Sequence, residues 1–154
     1  MIHKNTEVHE TVKISEDTMV WQFTTICEHT SIGNNSVIGS GAWIGKSCTI
    51  GNNVHIQHGA FIPSGTVIED NVFIGPNVTL TDDKYPRSGN KDYIPNPPLI
   101  RNGASIGAGS VVLPGVIIEA GAMIGAGSVV THNVIYGDLA FGVPARSQYH
   151  EVTQ

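Results

Sequence analysis

The segment Ile32-Gly33-Asn34-Asn35-Ser36-Val37-Ile38-Gly39-Ser40-Gly41-Ala42-Trp43-Ile44 carries the rule that decides the fold. Its isoleucines stand six residues apart. The spacing runs without exception from Ile26 through Ile32, Ile38, Ile44, Ile50, Ile56, Ile62, Ile68 and Ile74 to Leu80. Four places after each comes a small or β-branched residue: Thr30, Ser36, Ala42, Cys48, Val54, Ala60, Thr66, Val72 and Val78. An α-helix, with 3.6 residues per turn, would smear the isoleucines around its axis. Short strands joined by bends keep them on one side. The aliphatic residue then fills the core, and the small one points inward where the chain turns. Gly and Asn relieve the corners because they tolerate positive φ. Three hexads close one triangular coil of about 18 residues, and stacked coils pair as parallel strands. A β-sandwich would space its strands irregularly, with turn signals every 8–12 residues.

The frame extends backwards through Ile2, Val8, Ile14 and Val20, with Thr6, Val12, Thr18 and Thr24 at the small position. These hexads carry Glu7, Glu10, Lys13, Glu16 and Asp17 and make a polar end cap. After Leu80 the frame breaks, and it resumes at Ile100, Ile106, Val112, Ile118, Ile124 and Val130. The interval 81–99, with four prolines and two tyrosines, is predicted to be an extruded loop that serves the active site. If it replaces only a corner, Ile100 stacks on Ile68 and Arg101 lies beside Glu69. Residues 136–154 are expected to form a C-terminal cap and tail on one domain spanning 1–154.

Composition narrows the function. The chain has 154 residues, 18 glycines, 14% charged residues and a net charge of −5. No basic stripe exists to release counterions from nucleic acid. No apolar run approaches the ~18 residues of a membrane span. Met1-Ile2-His3-Lys4-Asn5 turns polar at once, so no leader and a cytoplasmic location are expected. Cys27 and Cys48 occupy different hexad positions, roughly 10 Å apart, too far for a disulfide. Adding 18 to a residue number stacks the side chains. Gln22, Ser40, His58 and Pro76 share one column, and Trp21, Gly39, Gln57 and Gly75 the next. Thr25, Trp43, Phe61 and Thr79 form an outward column, in which Trp43 over Phe61 points to an interface.

These hexads, the loop and the terminal Gly142-Val143-Pro144-Ala145-Arg146 resemble the left-handed β-helix acyltransferases. The resemblance covers residues 2–146 and implies an all-β, left-handed parallel β-helix of hexapeptide repeats. A narrower resemblance rests on Val20-Trp21-Gln22-Phe23, on Val72-Phe73-Ile74-Gly75-Pro76-Asn77-Val78-Thr79-Leu80-Thr81-Asp82-Asp83 and on Tyr85-Pro86-Arg87-Ser88. These are similar to the N-acetyltransferases of nucleotide-linked 3-amino sugars. That likeness implies acetyl-CoA, a UDP- or dTDP-linked amino sugar, a role in bacterial surface polysaccharide, and a homotrimer with active sites between subunits. Two positions depart from the pattern: Gln22 stands where the family has His, and Asp82 where it has Asn.

N-acetylation needs a neutral amine, a thioester held in line, and a donor for the oxyanion. Asp82 and His58 are the candidate proton acceptors, and the departing CoA thiolate is a third. Trp21, Gln57, Asn77, Tyr85 and Arg87 are candidate contacts to the nucleotide sugar. Arg101 and Arg146 are candidate phosphate partners for CoA. The bare corners at Ala108 and Ala126 would leave backbone groups free for the pantetheine. No metal is expected. His3, His9, His29, His55 and His150 read as surface residues, and His132 as too distant. A zinc carbonic anhydrase on this helix would need three histidines converging from adjacent coils. The spacing of His29, His55 and His58 does not supply them. An ice-binding or scaffold β-helix would need regular outer ladders and no loop. The closest alternative is an acetyltransferase of this fold with another acceptor: a 4-amino sugar, a sugar hydroxyl or an amino acid.

Overall fold

In the computed structural model, which describes residues 1–149, each hexad of the frame makes one two-residue strand. Thr25–Ile26, Ser31–Ile32 and Val37–Ile38 are successive examples. Neighbouring strand residues point to opposite faces, so the second residue of each strand enters the core. Strands 18 residues apart pair in parallel, Thr25 with Trp43 and Ile26 with Ile44. Three sheets therefore wrap a prism. A seven-stranded sheet holds Glu7–Val8, Thr25–Ile26, Trp43–Ile44, Phe61–Ile62, Thr79–Leu80, Val111–Val112 and Val129–Val130. A six-stranded sheet runs from Lys13–Ile14 to Ile117–Ile118. An eight-stranded sheet runs from Met19–Val20 through Val37–Ile38, His55–Ile56, Phe73–Ile74, Ser105–Ile106 and Met123–Ile124 to Leu139–Gly142 and Ala145–Ser147. Among the described residues every regular element is a strand, and no helix is long and apolar enough to cross a membrane.

The core is the isoleucine column itself. Ile26 through Leu80 at every sixth position, then Ile100, Ile106, Val112, Ile118, Ile124 and Val130, are all buried. The small positions are buried too. Their hydroxyls also join the coils. Thr30 donates to the carbonyl of Gly45 at 2.8 Å and accepts the amide of Cys48 at 3.1 Å. Ser36 and Ser110 repeat the pattern one residue type over. Thr30→Val keeps the shape but strands the Cys48 amide in the core. It should lower the unfolding free energy by about 1–3 kcal/mol in urea titration. An unchanged midpoint would show that these hydroxyls only fill space. Cys27 and Cys48 are free thiols, and burial pushes the Cys48 thiol up.

The loop changes length without changing register. Val67 pairs with Leu99, Phe73 with Ser105 and Thr79 with Val111, each 32 residues apart instead of 18, so the loop adds 14. It leaves after Leu80 and returns at Leu99, from one corner between the seven- and six-stranded sheets. Ile100 stacks on Ile68, and Arg101 Nη1 meets Glu69 Oε1 at 3.0 Å, as the frame predicts. The amide of Asn96 donates to the Asp82 carbonyl at 2.9 Å, and its own carbonyl accepts the Gly115 amide at 2.7 Å. That pair of bonds closes the neck of the loop.

The two ends differ from the middle. Ile2 is half exposed and makes only a single bridge to Val20. Past Val130 the period drops by two. Val134 pairs with Ile118 and Ala140 with Ile124, 16 residues apart. The tail thereby adds a last parallel strand, Leu139–Gly142, and Ala145–Ser147 folds back on it antiparallel. His150 lies outside the described residues.

Candidate active site

Six of the candidate residues stand on one edge of the prism. The corner that follows each strand of the eight-stranded sheet carries, coil after coil, Trp21-Gln22-Phe23, Gly39-Ser40-Gly41, Gln57-His58-Gly59, Gly75-Pro76-Asn77, Gly107-Ala108-Gly109 and Gly125-Ala126-Gly127. The third residue of each triplet has positive φ, between 57° at Asn77 and 71° at Gly41. In that conformation its amide donates to the corner carbonyl one coil earlier, as Asn77 does to His58 and Gly109 to Pro76, both at 2.9 Å. The stacking is tight. A Cβ on Gly75 would sit 2.7 Å from the Ala108 amide nitrogen.

This edge changes character along its length. At the N-terminal end Trp21, Gln22, Val37, Ser40, Gln57 and His58 line a cavity of about 490 Å³. At the C-terminal end Ala108 and Ala126 project almost nothing. On several corners the central amide is covered by a side chain from the next coil. Asn34 donates to Asn52 Oδ1 at 2.8 Å and Lys46 to Ser64 Oγ at 3.0 Å. Ala126 has no such side chain to offer Ala108. Among the described residues the amides of Ala108 and Ala126 have no acceptor, so a ligand lying along the edge meets free donors.

His58 is exposed, and its ring is committed on one side. Nδ1 accepts the amide of Ser40 at 3.1 Å. A neutral imidazole with Nδ1 so occupied carries its proton on Nε2. The ring atom left unpartnered by the described residues is then a donor. Spacing alone had offered His58 as a base. The 18-residue column that places Ser40 beside it was legible in the sequence, but the direction of the ring was not.

Asp82 stands on the next edge, at the mouth of the loop. Tyr93 donates to Asp82 Oδ2 at 2.6 Å, and Oδ1 takes no hydrogen bond from the described residues. Asp82, Asp83, Arg87, Gly89, Asn90 and Tyr93 line a depression of about 390 Å³. Tyr93 is pushed up to about 12, first by its hydrogen bond to Asp82, then by partial burial and the charges of Asp82 and Asp83. Its phenol therefore stays protonated and bonded below its ordinary value near 10 and gives up the bond only as pH rises through about 12. Tyr93 has no signal of its own in the sequence, because the partners stand eleven positions apart along an irregular loop. Arg87 lines the same depression, with Nη1 on the Pro86 carbonyl at 2.9 Å. Tyr85 is exposed, and the Lys84 ammonium lies 5.6 Å from its ring centre. Within one chain the Asp82 group and the His58 group are on different edges. Between them lies the seven-stranded sheet, whose outer face carries Trp43 stacked on Phe61, centroids 4.9 Å apart and planes within 6°.

The family described as Bacterial transferase hexapeptide (six repeats) matches residues 11–46, 47–82 and 97–132, leaving out the loop that the coils step around. The chain belongs to this family. A second description, Hexapeptide repeat of succinyl-transferase, matches residues 29–64. This hexapeptide transferase is an acyltransferase. It is similar to the BC4754 product of Bacillus cereus, provisionally assigned as an acetyltransferase, at 26% identity and a TM-score of 0.73 over 94% of this chain and 83% of that one. PerB of Caulobacter crescentus, solved with CoA and GDP-perosamine, is 24% identical with a TM-score of 0.56, over 96% of this chain and 56% of that one. The acetyltransferase domain of PglB from Neisseria gonorrhoeae, solved with acetyl coenzyme A, is 17% identical with a TM-score of 0.51, over 93% and 57%. The chain thus spans little more than half the length of the last two, and at these identities they share its fold. No curated protein matches it.

The remaining candidates of the transferase lie apart from both groups. Arg101 is on the third edge, between Glu69 and Glu119, with Nε 3.8 Å from Glu119 Oε2. The two carboxylates match its charge within the chain, although Nε is buried without a hydrogen bond. Arg146 is exposed on the antiparallel return strand, at a cavity of about 290 Å³ that also holds His132, Asn133 and Asp138. A larger cavity of about 640 Å³, lined by Val12, Lys13, Ser31, Gly33 and Asn52, contains no candidate residue. Among the described residues no three His, Cys, Asp or Glu side chains are placed to share a metal ion.

Proposed function

We propose that this acyltransferase moves the acetyl group of acetyl-CoA to the amino group of a 3-amino sugar linked to UDP or dTDP, for bacterial surface polysaccharide. The observation that carries this reading is the continuous edge from Trp21 to Ala126. It joins a side-chain-lined cavity to bare corners with free amides. The narrower resemblance of Trp21-Gln22-Phe23 and of Tyr85-Pro86-Arg87-Ser88 supports the sugar class. Similarity to structures solved with CoA and GDP-perosamine and with acetyl coenzyme A supports the coarser class, an acetyl-CoA-dependent enzyme acting on a nucleotide-linked amino sugar.

The pantetheine arm lies along Ala108 and Ala126, whose amides bind its carbonyls, and its thioester reaches the His58 coil. Arg146 meets the CoA phosphates, while Arg101, held by two carboxylates, braces its edge instead. The sugar amine attacks the thioester carbon and forms the C–N bond. The carbonyl electron pair moves to oxygen, and the His58 Nε2–H donates to that oxyanion. Asp82 Oδ1 takes the ammonium proton. The C–S bond breaks as the carbonyl re-forms, and CoA leaves as thiolate. Gln57, Asn77 and Trp21 seat the sugar, with Tyr85 and Arg87 on the nucleotide. Because Asp82 and His58 lie on different edges of one chain, the loop of one subunit closes over the edge of the next. The site is therefore shared within a homotrimer, packed through the face that bears Trp43 and Phe61. Acetyl-CoA places the reaction in the cytoplasm.

Release of CoA thiol from acetyl-CoA, measured against UDP- and dTDP-linked 3-amino and 4-amino sugars, tests the reading. Turnover with one 3-amino sugar is expected. Silence across the panel with CoA still bound would assign another acceptor.

A further inference from the structure

The third residue of each triplet on the active edge has a left-handed backbone, and five of the six are glycine or asparagine. The sixth is Phe23, at φ 61°. A side chain with a Cβ is unfavourable in that region, and a bulky one is an outlier. Among the described residues, the only others at positive φ that are neither glycine nor asparagine are His29 and Ser47, both polar and both on another edge. Its amide bonds to the Asn5 carbonyl at 2.6 Å, which any residue could do. Its ring stays outside the core, with 70% of the residue exposed. Neither packing nor hydrogen bonding within the chain offsets the strain. Strain that the fold does not need points to something the ring does outside it.

Its place narrows what that is. Phe23 lies two coils from Gly59, beside His58, hence roughly 10 Å along the axis at the usual strand spacing. It lies on the side away from the free amides of Ala108 and Ala126. If the acyl donor occupies the bare corners, the acceptor enters from the Phe23 end. A diphosphate bridge sets a nucleotide's base at about that remove from its sugar. We infer that Phe23 is a stacking platform for the base of the acceptor nucleotide, held in a strained backbone so that its ring projects from the active edge. The inference rests on the acceptor class proposed above.

Phe23→Gly separates strain from binding. Glycine relieves the left-handed conformation and removes the ring. The melting temperature should rise by about 2–4 °C, while the dissociation constants of UDP and dTDP, measured by calorimetry on the full chain, weaken about 10–100-fold for whichever the wild type binds. CoA affinity should stay the same, and Phe23→Trp should keep the nucleotide affinity. A lower melting temperature, or a change in oligomeric state, would make Phe23 a structural or subunit contact and overturn the inference. So would unchanged nucleotide affinity in Phe23→Gly, or no binding of either diphosphate to the wild type. Nucleotide binding that depends on Phe23, without turnover of any amino sugar, would leave the platform standing and sink the proposed reaction.

Discussion

Asp82→Asn is expected to lower kcat by about 10²–10⁴-fold with little change in KM for either substrate. The change is suited to the site. Tyr93 donates to one oxygen of Asp82, and the Asp82 carbonyl is tied to the Asn96 amide. An asparagine presents the same acceptor to Tyr93 and keeps both anchors. What it loses is the free Oδ1 as a proton acceptor. Ser40 occupies Nδ1 of His58, so the imidazole does not take over that role without turning its ring. The measurement is steady-state CoA release, with circular dichroism to show that the loop variant is folded. Turnover within about threefold of wild type would leave the proton to the departing thiolate and would make Asp82 a loop anchor. The same result would explain why an amide serves at this position in the resembling family.

Gly107→Ala is expected to be the most damaging single methyl on the active edge. A Cβ there would meet the Ala126 nitrogen at 2.5 Å, the Ala126 Cα at 2.8 Å and the Ile124 carbonyl at 2.8 Å. These are backbone atoms of the next coil, and they cannot swing aside. The coils would have to part, stretching the bond from the Gly107 amide to Ile124. Overpacking and the weakened bond together amount to about 2–4 kcal/mol. Gly109, two residues on, is the control. It has φ 67° but nothing within 4 Å of its Cβ position. Alanine there carries only the left-handed strain of about 1–2 kcal/mol. Urea midpoints of the two variants compare steric stacking with backbone strain at neighbouring positions. If Gly109→Ala were the worse, the tight approach of the coils would not be what requires glycine at 107.

The period of six determined most of this molecule by itself. It named the buried column from Ile26 to Val130, the stack of Trp43 on Phe61, the buried Cys48 and the contact of Arg101 with Glu69 across the loop. It could do so because each coil sits on the last, so a local spacing repeats as a three-dimensional neighbour. It also gathered Trp21, Gln57, His58, Asn77, Ala108 and Ala126 onto one edge. The small inward positions were legible as small. That their hydroxyls bridge coils became visible only in three dimensions. Where the period stops, tertiary structure decided. The Tyr93–Asp82 bond depends on how a proline-rich loop folds back, and the tail's last strand follows a two-residue slip at Val134. Which nitrogen of His58 is left to donate follows from the Ser40 amide that occupies the other. These features rest on single hydrogen bonds at places where no repeat fixes the neighbour, and a one-dimensional pattern has nothing there to extrapolate.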